Sequence, residues 1–132
     1  MTPKNGQRLT ISVLPGRLGI YRLPAEAPVP DWAQKPGDIF SITRTTDELS
    51  IVCDKKNAPP DTKSVKGWRA IKVHGPLDFA LTGILSSLAA PLAAAGISIF
   101  ALSTFDTDYI LVEVENIKKA VKALEPLCDI ER

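Results

Sequence analysis

Alternating apolar and polar positions predict strands in the first part of the chain. Over residues 9–13, Leu, Ile and Val alternate with polar side chains, which is typical of a half-buried strand, and residues 18–23 supply a returning strand. Asp31 is placed to cap a short helical turn with its carboxylate. Residues 39–54 have the pattern of a hairpin, and the proline-containing stretch 55–66 is typical of a loop or linker.

The clearest helical period in the chain follows. Six apolar residues over 81–95 recur at the spacing of one helix face. Thr82, or Asp78 one turn earlier, is the predicted N-cap, and Gly96 is the predicted left-handed stop. Pro91 falls inside this helix, where it removes a backbone hydrogen bond and should kink the helix at a cost of about 3 kcal/mol. The apolar face consists of Leu81, Ile84, Leu85, Leu88, Leu92 and Ala95.

Further strands and a second helix flank this long helix. Residues 68–74 predict a strand before it. Residues 97–102 and 109–115 predict a hairpin after it, with Ser, Thr and Asp side chains crowded into the bend. Asn116 is placed to cap a closing amphipathic helix, and residues 127–130 predict a final short strand.

The two predicted hairpins resemble each other. Residues 39–52 lie over residues 99–112 at a constant offset of 60, without a gap. This predicts two copies of a strand–helix–hairpin unit, in domains 1–62 and 63–132, the first having lost its long helix because 14–30 is rich in Pro and Gly. Chance similarity between two hairpins is the alternative. The matching pairs include Ile39/Ile99, Phe40/Phe100, Thr43/Ser103, Ile51/Leu111 and Val52/Val112, and the same offset places Ile11 over Ile71 and Val13 over Val73.

The order strand, helix, strand, strand, helix, strand predicts a ferredoxin-like α+β unit, with helices on one face of an antiparallel sheet. Gly-Ile-Leu at 83–85 opens its first helix, and Leu-Ala-Ala-Ala-Gly-Ile at 92–97 leads into the next strand. Together with segments 75–79 and 103–112, this resembles the ACT domain, in particular small bacterial ACT-domain proteins related to the CASTOR arginine sensors. The resemblance is sharpest over 68–114. It implies two ACT-like βαββαβ modules, the first degenerate, and amino-acid binding.

The resemblance implies a ligand site where the turn after the first strand and the helix start face the hairpin bend. Backbone amides at a helix N-terminus suit the carboxylate of an amino acid, and Gly83 allows a close approach. Asp106 and Asp108 suit an ammonium or guanidinium group, so this bend favours a cationic amino acid such as arginine or lysine. The predicted ligand-binding residues are His74, Gly75, Pro76, Leu77, Phe79, Thr82, Gly83, Ile84, Ser103, Thr104, Phe105, Asp106, Thr107 and Asp108.

Each of these features also has a purely structural explanation. Ser, Thr and Asp are common turn formers at a hairpin bend. Gly83 also suits close packing of a helix against a strand. His74 is the single histidine of the chain and lies at a strand end, where a structural role is commoner than a catalytic one. The residues alone therefore leave both readings of the bend open.

Composition and charge narrow the possible functions. The chain has 132 residues and a formal net charge of +1, which gives no electrostatic case for binding nucleic acid or an anionic membrane. The sequence contains no nucleophile elbow, phosphate loop or metal-ligand spacing, so we expect neither an enzyme nor a cofactor. Cys53 and Cys128 are predicted to be buried free thiols, and the cytoplasm is the expected location.

The sequence therefore predicts an amino-acid-binding protein with a sensory or regulatory role and no catalysis. We expect a homodimer that regulates a protein partner which the sequence does not identify. The alternative is an interaction or dimerisation module that needs no ligand, because exposed edges of such sheets can pair with other strands. In that case the polar bend would be a turn and nothing more.

Overall fold

A computed structural model describes residues 8–62, 64, 67–75 and 83–131. The chain divides into two compact units. The first, called here the C-terminal unit, contains the residues up to 14 together with those from 69 onward. The second, called here the inserted unit, consists of residues 15–68.

The described residues form eight strands and two α-helices, close to the elements that the sequence predicts. Three short 3-10 turns accompany them, at Asp31–Gln34, Lys55–Asn57 and Val114–Asn116. The strands and helices are β1 (Leu9–Val13), β2 (Leu18–Leu23), β3 (Ser41–Arg44), β4 (Leu49–Asp54), β5 (Trp68–Val73), α1 (Ile84–Ala94), β6 (Ile99–Ser103), β7 (Asp108–Glu113), α2 (Ile117–Leu124) and β8 (Cys128–Glu131).

Strand β1 lies inside the sheet of the C-terminal unit, whose strand order is β6-β7-β5-β1-β8. It pairs antiparallel with β5 and parallel with β8. The expectation of an antiparallel sheet is therefore wrong in one place, and the sheet is mixed. The predicted first domain, 1–62, includes β1, whereas the structure packs β1 in the C-terminal unit. Likewise, β2 does not return beside β1 but pairs with β4 over its whole length.

Arg8, just before β1, fixes where the chain enters this sheet. Its guanidinium donates to three backbone carbonyls at the end of α2 and the start of β8, those of Glu125 (2.9 Å), Pro126 (3.0 Å) and Cys128 (2.8 Å). Its Nε also donates to Asp129 Oδ1 at 3.0 Å. Carbonyls at a helix C-terminus lack partners within the helix, and a cation there also suits the helix dipole. Arg8 thus ties the entry of β1 to the turn between α2 and β8.

One apolar core joins the sheet of the C-terminal unit to both helices. Val73 of β5 lies opposite Ile11 of β1, and both are fully buried. The strand residues of this core share one face of the sheet, against which α1 and α2 pack, as expected for helices on one side of a sheet. On the opposite face Ala70 and Leu111 are fully buried as well. The buried members of this core are Leu9, Ile11, Ile71, Val73, Ile84, Leu88, Leu92, Ile97, Ile110, Val112, Ala120, Leu124 and Cys128.

The predicted ends of the helices are only partly correct. Gly96 has φ = 75° and ends α1, which confirms the left-handed stop. Pro91 lies inside α1, as the period requires. Gly83, with φ = 79°, takes the N-cap position, so neither Thr82 nor Asp78 does, and both lie outside the described residues.

Of two further capping predictions, one is correct only in the position of the cap and the other is wrong. Asn116 occupies the N-cap position of α2 without a capping side-chain hydrogen bond, because a 3-10 turn runs directly into the helix and supplies the first carbonyls. Asp31 lies inside its short turn instead of before it, and Pro30 takes the cap position. In both places the chain enters the helix from a geometry that the pattern of side chains does not reveal.

The inserted unit has a smaller sheet with the strand order β2-β4-β3. Its core contains Leu49, Ile51 and Cys53 of β4, together with Ala33 and Tyr21. The Tyr21 ring also meets the Trp32 ring edge to face, with centroids 5.4 Å apart. Residues 24–40, all of them described, contain the 3-10 turn and no α-helix, in agreement with the expected loss of a long helix.

The register of the two hairpins corrects the offset found in the sequence. Arg44 pairs with Leu49 in the first hairpin, and Ser103 pairs with Asp108 in the second. Corresponding positions at the bends are therefore 59 apart, not 60. A slip of one residue exchanges the two faces of a strand. The offset of 60 therefore aligned apolar residues of the first hairpin with apolar residues that lie on the opposite face of the second.

Both cysteines are buried free thiols, as predicted. Burial, with a smaller effect from the charge of Asp54, raises the pKa of Cys53 from its ordinary 9.0 to about 11. The Cys53 thiol therefore stays protonated at neutral pH. Since the thiolate is the reactive form, Cys53 is unreactive as a nucleophile in the folded protein at neutral pH.

We expect the free energy of unfolding to fall between about pH 9 and pH 11. Because the folded protein holds the Cys53 thiol neutral up to about pH 11, while the unfolded chain ionises from its ordinary 9.0, alkaline pH favours unfolding. Urea unfolding at a series of pH values measures this decline. In Cys53→Ala the decline should be shallower than in the wild type, and parallel curves for the two proteins would contradict the assignment.

Gly96→Ala should lower the free energy of unfolding by about 1 kcal/mol, because an L side chain at φ = 75° is strained. A Cβ at this position meets no atom within 4 Å, so backbone strain is the only cost. Gly96→Asn is the matched control and should lose less, since asparagine tolerates the left-handed region. Urea unfolding measures both variants, and an equal loss in the two would argue against strain as the cause.

Candidate functional site

The bend between β6 and β7 is held by its own hydroxyl and amide groups. The Thr104 N–H donates to the carbonyl of Thr107 at 2.8 Å, and the Thr104 hydroxyl accepts from the Thr107 N–H at 3.3 Å. At its base, the Ser103 hydroxyl donates to Asp108 Oδ1 at 2.7 Å. Several polar groups of the predicted site therefore stabilise the turn itself.

Thr107 connects this bend to the end of β5. Its side-chain hydroxyl donates to the backbone carbonyl of Val73, and the residue is only 6% exposed. Val73 directly precedes His74 and Gly75. The structure thus places the bend against the end of β5, directly before the predicted site residues His74 and Gly75.

His74 lies beside two polar residues that the sequence did not indicate. Its Nε2 is 2.5 Å from the Ser12 hydroxyl and 3.8 Å from Glu131 Oε1. Its backbone N–H donates to the Thr10 carbonyl at 2.8 Å. Ser12 is on β1 and Glu131 is on β8, so only the observed strand order places them near His74, and no local pattern could have revealed them.

The start of α1 is the third part of the predicted site. Gly83 is exposed, and its carbonyl accepts from the Ser87 N–H at 2.8 Å. Ile84 is buried in the core, and the Ser87 hydroxyl donates to its carbonyl at 2.7 Å. Four further predicted residues lie outside the described part of the chain, namely Pro76, Leu77, Phe79 and Thr82.

The bend presents acidic and aromatic groups to solvent. Asp106 is exposed, Phe105 is 80% exposed, and Asp108 is half-buried. Such an arrangement can accept hydrogen bonds from a cationic group and cover it with an aromatic ring. Within the described ranges, no group of three or more His, Cys, Asp or Glu side chains could hold a metal ion. None of the helices described is both long and apolar enough to cross a bilayer.

A βαββαβ unit with helices on one face of its sheet belongs to the ferredoxin-like class of α+β folds. A family model for the ACT domain matches residues 63–126, and a second model, for an N-terminal domain, matches residues 16–61. The chain therefore contains an ACT domain over residues 63–126, and it is similar to the cytosolic arginine sensors described next.

Two curated relatives carry the name "Cytosolic arginine sensor for mTORC1 subunit 1". The protein from Pongo abelii is 33% identical over 113 residues, which is 80% of this chain and 34% of that protein. The protein from Homo sapiens is 35% identical over 94 residues, 65% of this chain and 29% of that protein. The chain thus spans about a third of the length of these relatives.

Two solved structures are similar over almost the whole chain. The crystal structure of protein Atu0741 from Agobacterium tumefaciens is 40% identical with a TM-score of 0.87, covering 95% of this chain and 93% of that chain. A Vibrio cholerae protein described as a possible transport protein is 19% identical with a TM-score of 0.76, covering 91% and 90%. At that identity the second likeness concerns the fold alone.

Thr107→Val should lower the free energy of unfolding by about 1–3 kcal/mol, because the Val73 carbonyl loses its hydroxyl donor at a buried position. It should also speed amide hydrogen exchange in the bend over residues 104–107. The control is Thr46→Val in the exposed bend of the other hairpin, where the change should stay within about 0.5 kcal/mol. An equal loss of unfolding free energy in the two variants would contradict the structural role assigned to the Thr107 hydroxyl.

Proposed function

We propose that this protein binds a free amino acid and acts as a regulatory sensor without catalysis. The observation that carries the proposal is the hydrogen bond from the Thr107 hydroxyl to the Val73 carbonyl. It fixes an acidic bend at the end of β5, the first strand of the ACT domain. The name of the human relative, an arginine sensor, supports an amino acid as the ligand.

The two ends of an amino acid suit different parts of this site. Asp108 already accepts from the Ser103 hydroxyl through Oδ1. A carboxylate offers about four acceptor positions, so Asp108 can bind an ammonium or guanidinium group as well. The α-carboxylate suits the amides at the start of α1, where Gly83 leaves the backbone accessible.

A cationic amino acid, arginine first, fits this arrangement best. Asp106 and Asp108 supply two negative charges to the bend, and a charge-assisted hydrogen bond contributes about 1.5–3 kcal/mol. With two or three such bonds, less the cost of ordering the ligand, we expect a dissociation constant between about 1 μM and 1 mM. Phe105 is placed to cover the aliphatic part of the ligand.

A role without catalysis is consistent with the surroundings of His74. Ser12 and Glu131 both face the same ring nitrogen, Nε2. A catalytic triad instead places the nucleophile on one ring nitrogen and the orienting acid on the other. We therefore assign the Ser12–His74 contact to the structure of the sheet and to the edge of the ligand site.

The proposal extends to the organisation of the protein. We infer two ACT-like modules, over 1–62 and 63–132, the first degenerate, with β1 contributed to the sheet of the second. We also infer a cytoplasmic homodimer that regulates a protein partner. Among the described strands of the C-terminal unit, β6 and β8 are the outermost, and either edge offers backbone groups for pairing with a second copy.

Isothermal titration calorimetry with arginine, lysine and the other common amino acids tests the ligand. Arginine should bind, and Asp108→Ala should weaken it by at least about tenfold, which corresponds to 1.4 kcal/mol. The reason is the loss of the carboxylate that faces the cation. Asp47→Ala is the matched control, since it removes an exposed aspartate from the bend of the other hairpin and should leave the affinity unchanged.

Two results would count against the proposal. One is no heat or thermal shift with any amino acid well above millimolar concentration. The other is an equal loss of affinity in Asp108→Ala and Asp47→Ala, which would indicate unspecific charge attraction in place of a site at the bend between β6 and β7.

A further inference from the structure

A second concave site lies at the other end of the sheet of the C-terminal unit. It is a groove of about 470 Å³ between α2 and the ends of β1 and β8. The bend described above lies at the end of β5, where Thr107 meets Val73, whereas this groove reaches Arg69 near the start of the same strand. Its size falls within the range of small-molecule sites.

The floor of the groove is apolar. Ile117 and Val121 lie one turn apart on α2 and form one side, and Val13 and Ile130 from the two neighbouring strands form the other. All four side chains are half-buried, so the core does not cover them fully. An aliphatic chain in the groove would bury apolar surface that solvent now reaches.

Arg69 occupies a position of β5 at which the alternation of buried and exposed side chains predicts an apolar residue. Ile71 and Val73, two and four positions further along β5, belong to the core beneath the helices. By the alternation of a strand, Arg69 shares their face. Its Nε donates to the Leu14 carbonyl at 3.0 Å, which orients the planar guanidinium at the end of the groove.

The groove is lined by three cationic side chains, Arg69, Lys118 and Lys122, and by two acidic ones. Lys118 and Lys122 lie one turn apart on α2 and line its rim. The two acidic lining residues are placed differently. Glu131 approaches His74, with 3.8 Å between Oε1 and Nε2, and Glu125 lies at the far end of α2. Lys122 lies in the last turn of α2, at the same end as Glu125, whereas Lys118 lies in the first turn. The lining therefore carries a net positive charge, to which Arg69 and Lys118 contribute.

We propose that this groove binds a small aliphatic carboxylate. The carboxylate would meet the Arg69 guanidinium, which can bind it through two parallel hydrogen bonds, and Lys118 would add a second positive charge. The aliphatic chain would lie on Ile117, Val121 and Ile130. None of the residues proposed to bind the amino acid lines this groove, so the two proposals can be tested independently.

Calorimetry with sodium octanoate on the full chain tests the proposal, with 1-octanol as the neutral probe of equal chain length. Octanoate should bind, and octanol should bind roughly tenfold more weakly, because only the carboxylate can pair with the guanidinium. Arg69→Gln should weaken octanoate by roughly tenfold. Asp108→Ala should leave octanoate binding unchanged, which separates this site from the amino-acid site.

A pair of neighbouring lysines keeps the test decisive if Arg69→Gln does not fold. Lys118 lines the groove, whereas Lys119 is also exposed on α2 but does not line it. Lys118→Gln should weaken octanoate by about threefold and Lys119→Gln should not. Equal binding of octanol and octanoate, equal effects of the two lysine variants, or no binding of octanoate would each overturn the proposal.

Discussion

The position of β1 between β5 and β8 is the constraint on which the C-terminal unit depends. The last strand of a ferredoxin-like unit runs antiparallel to its first, so a strand placed between them must be parallel to one of the two. Here it is parallel to β8, and Arg8 fixes its entry by binding the carbonyls of Glu125, Pro126 and Cys128. The same strand supplies Ser12 to His74 on one face of the sheet and Val13 to the groove on the other.

Local patterns predicted the elements well and their partners poorly. The helix that contains Leu88 and Leu92, and its stop at Gly96, follow from a period and a backbone preference that act within one turn. The pairing of β1 with β5 and β8 joins residues that are far apart in sequence, and alternation alone does not choose among possible partners. The offset of 60 was wrong for the same reason, because these strands carry apolar residues on both faces and a sequence match does not show which face a residue is on.

The candidate site was predictable as a region but not as a set of contacts. The resemblance to the ACT domain placed it at the bend after β6 and at the turn after β5. It did not reveal that the Thr107 side chain is buried, since threonine at a bend is usually an exposed turn former. The contacts of His74 with Ser12 and Glu131 depend on the strand order, so they follow only from the folded sheet.

The structural and functional readings of the bend support each other. Hydrogen bonds inside the bend, from Ser103 to Asp108 and between Thr104 and Thr107, fix side chains that would otherwise have to be ordered by a ligand. Ordering one such side chain on binding costs about 0.5–1.5 kcal/mol, so a turn that fixes them in advance improves affinity without a new contact. The bond from Thr107 to Val73 then fixes this acidic bend at the end of β5. The binding proposed for this place therefore depends on the stability of the turn.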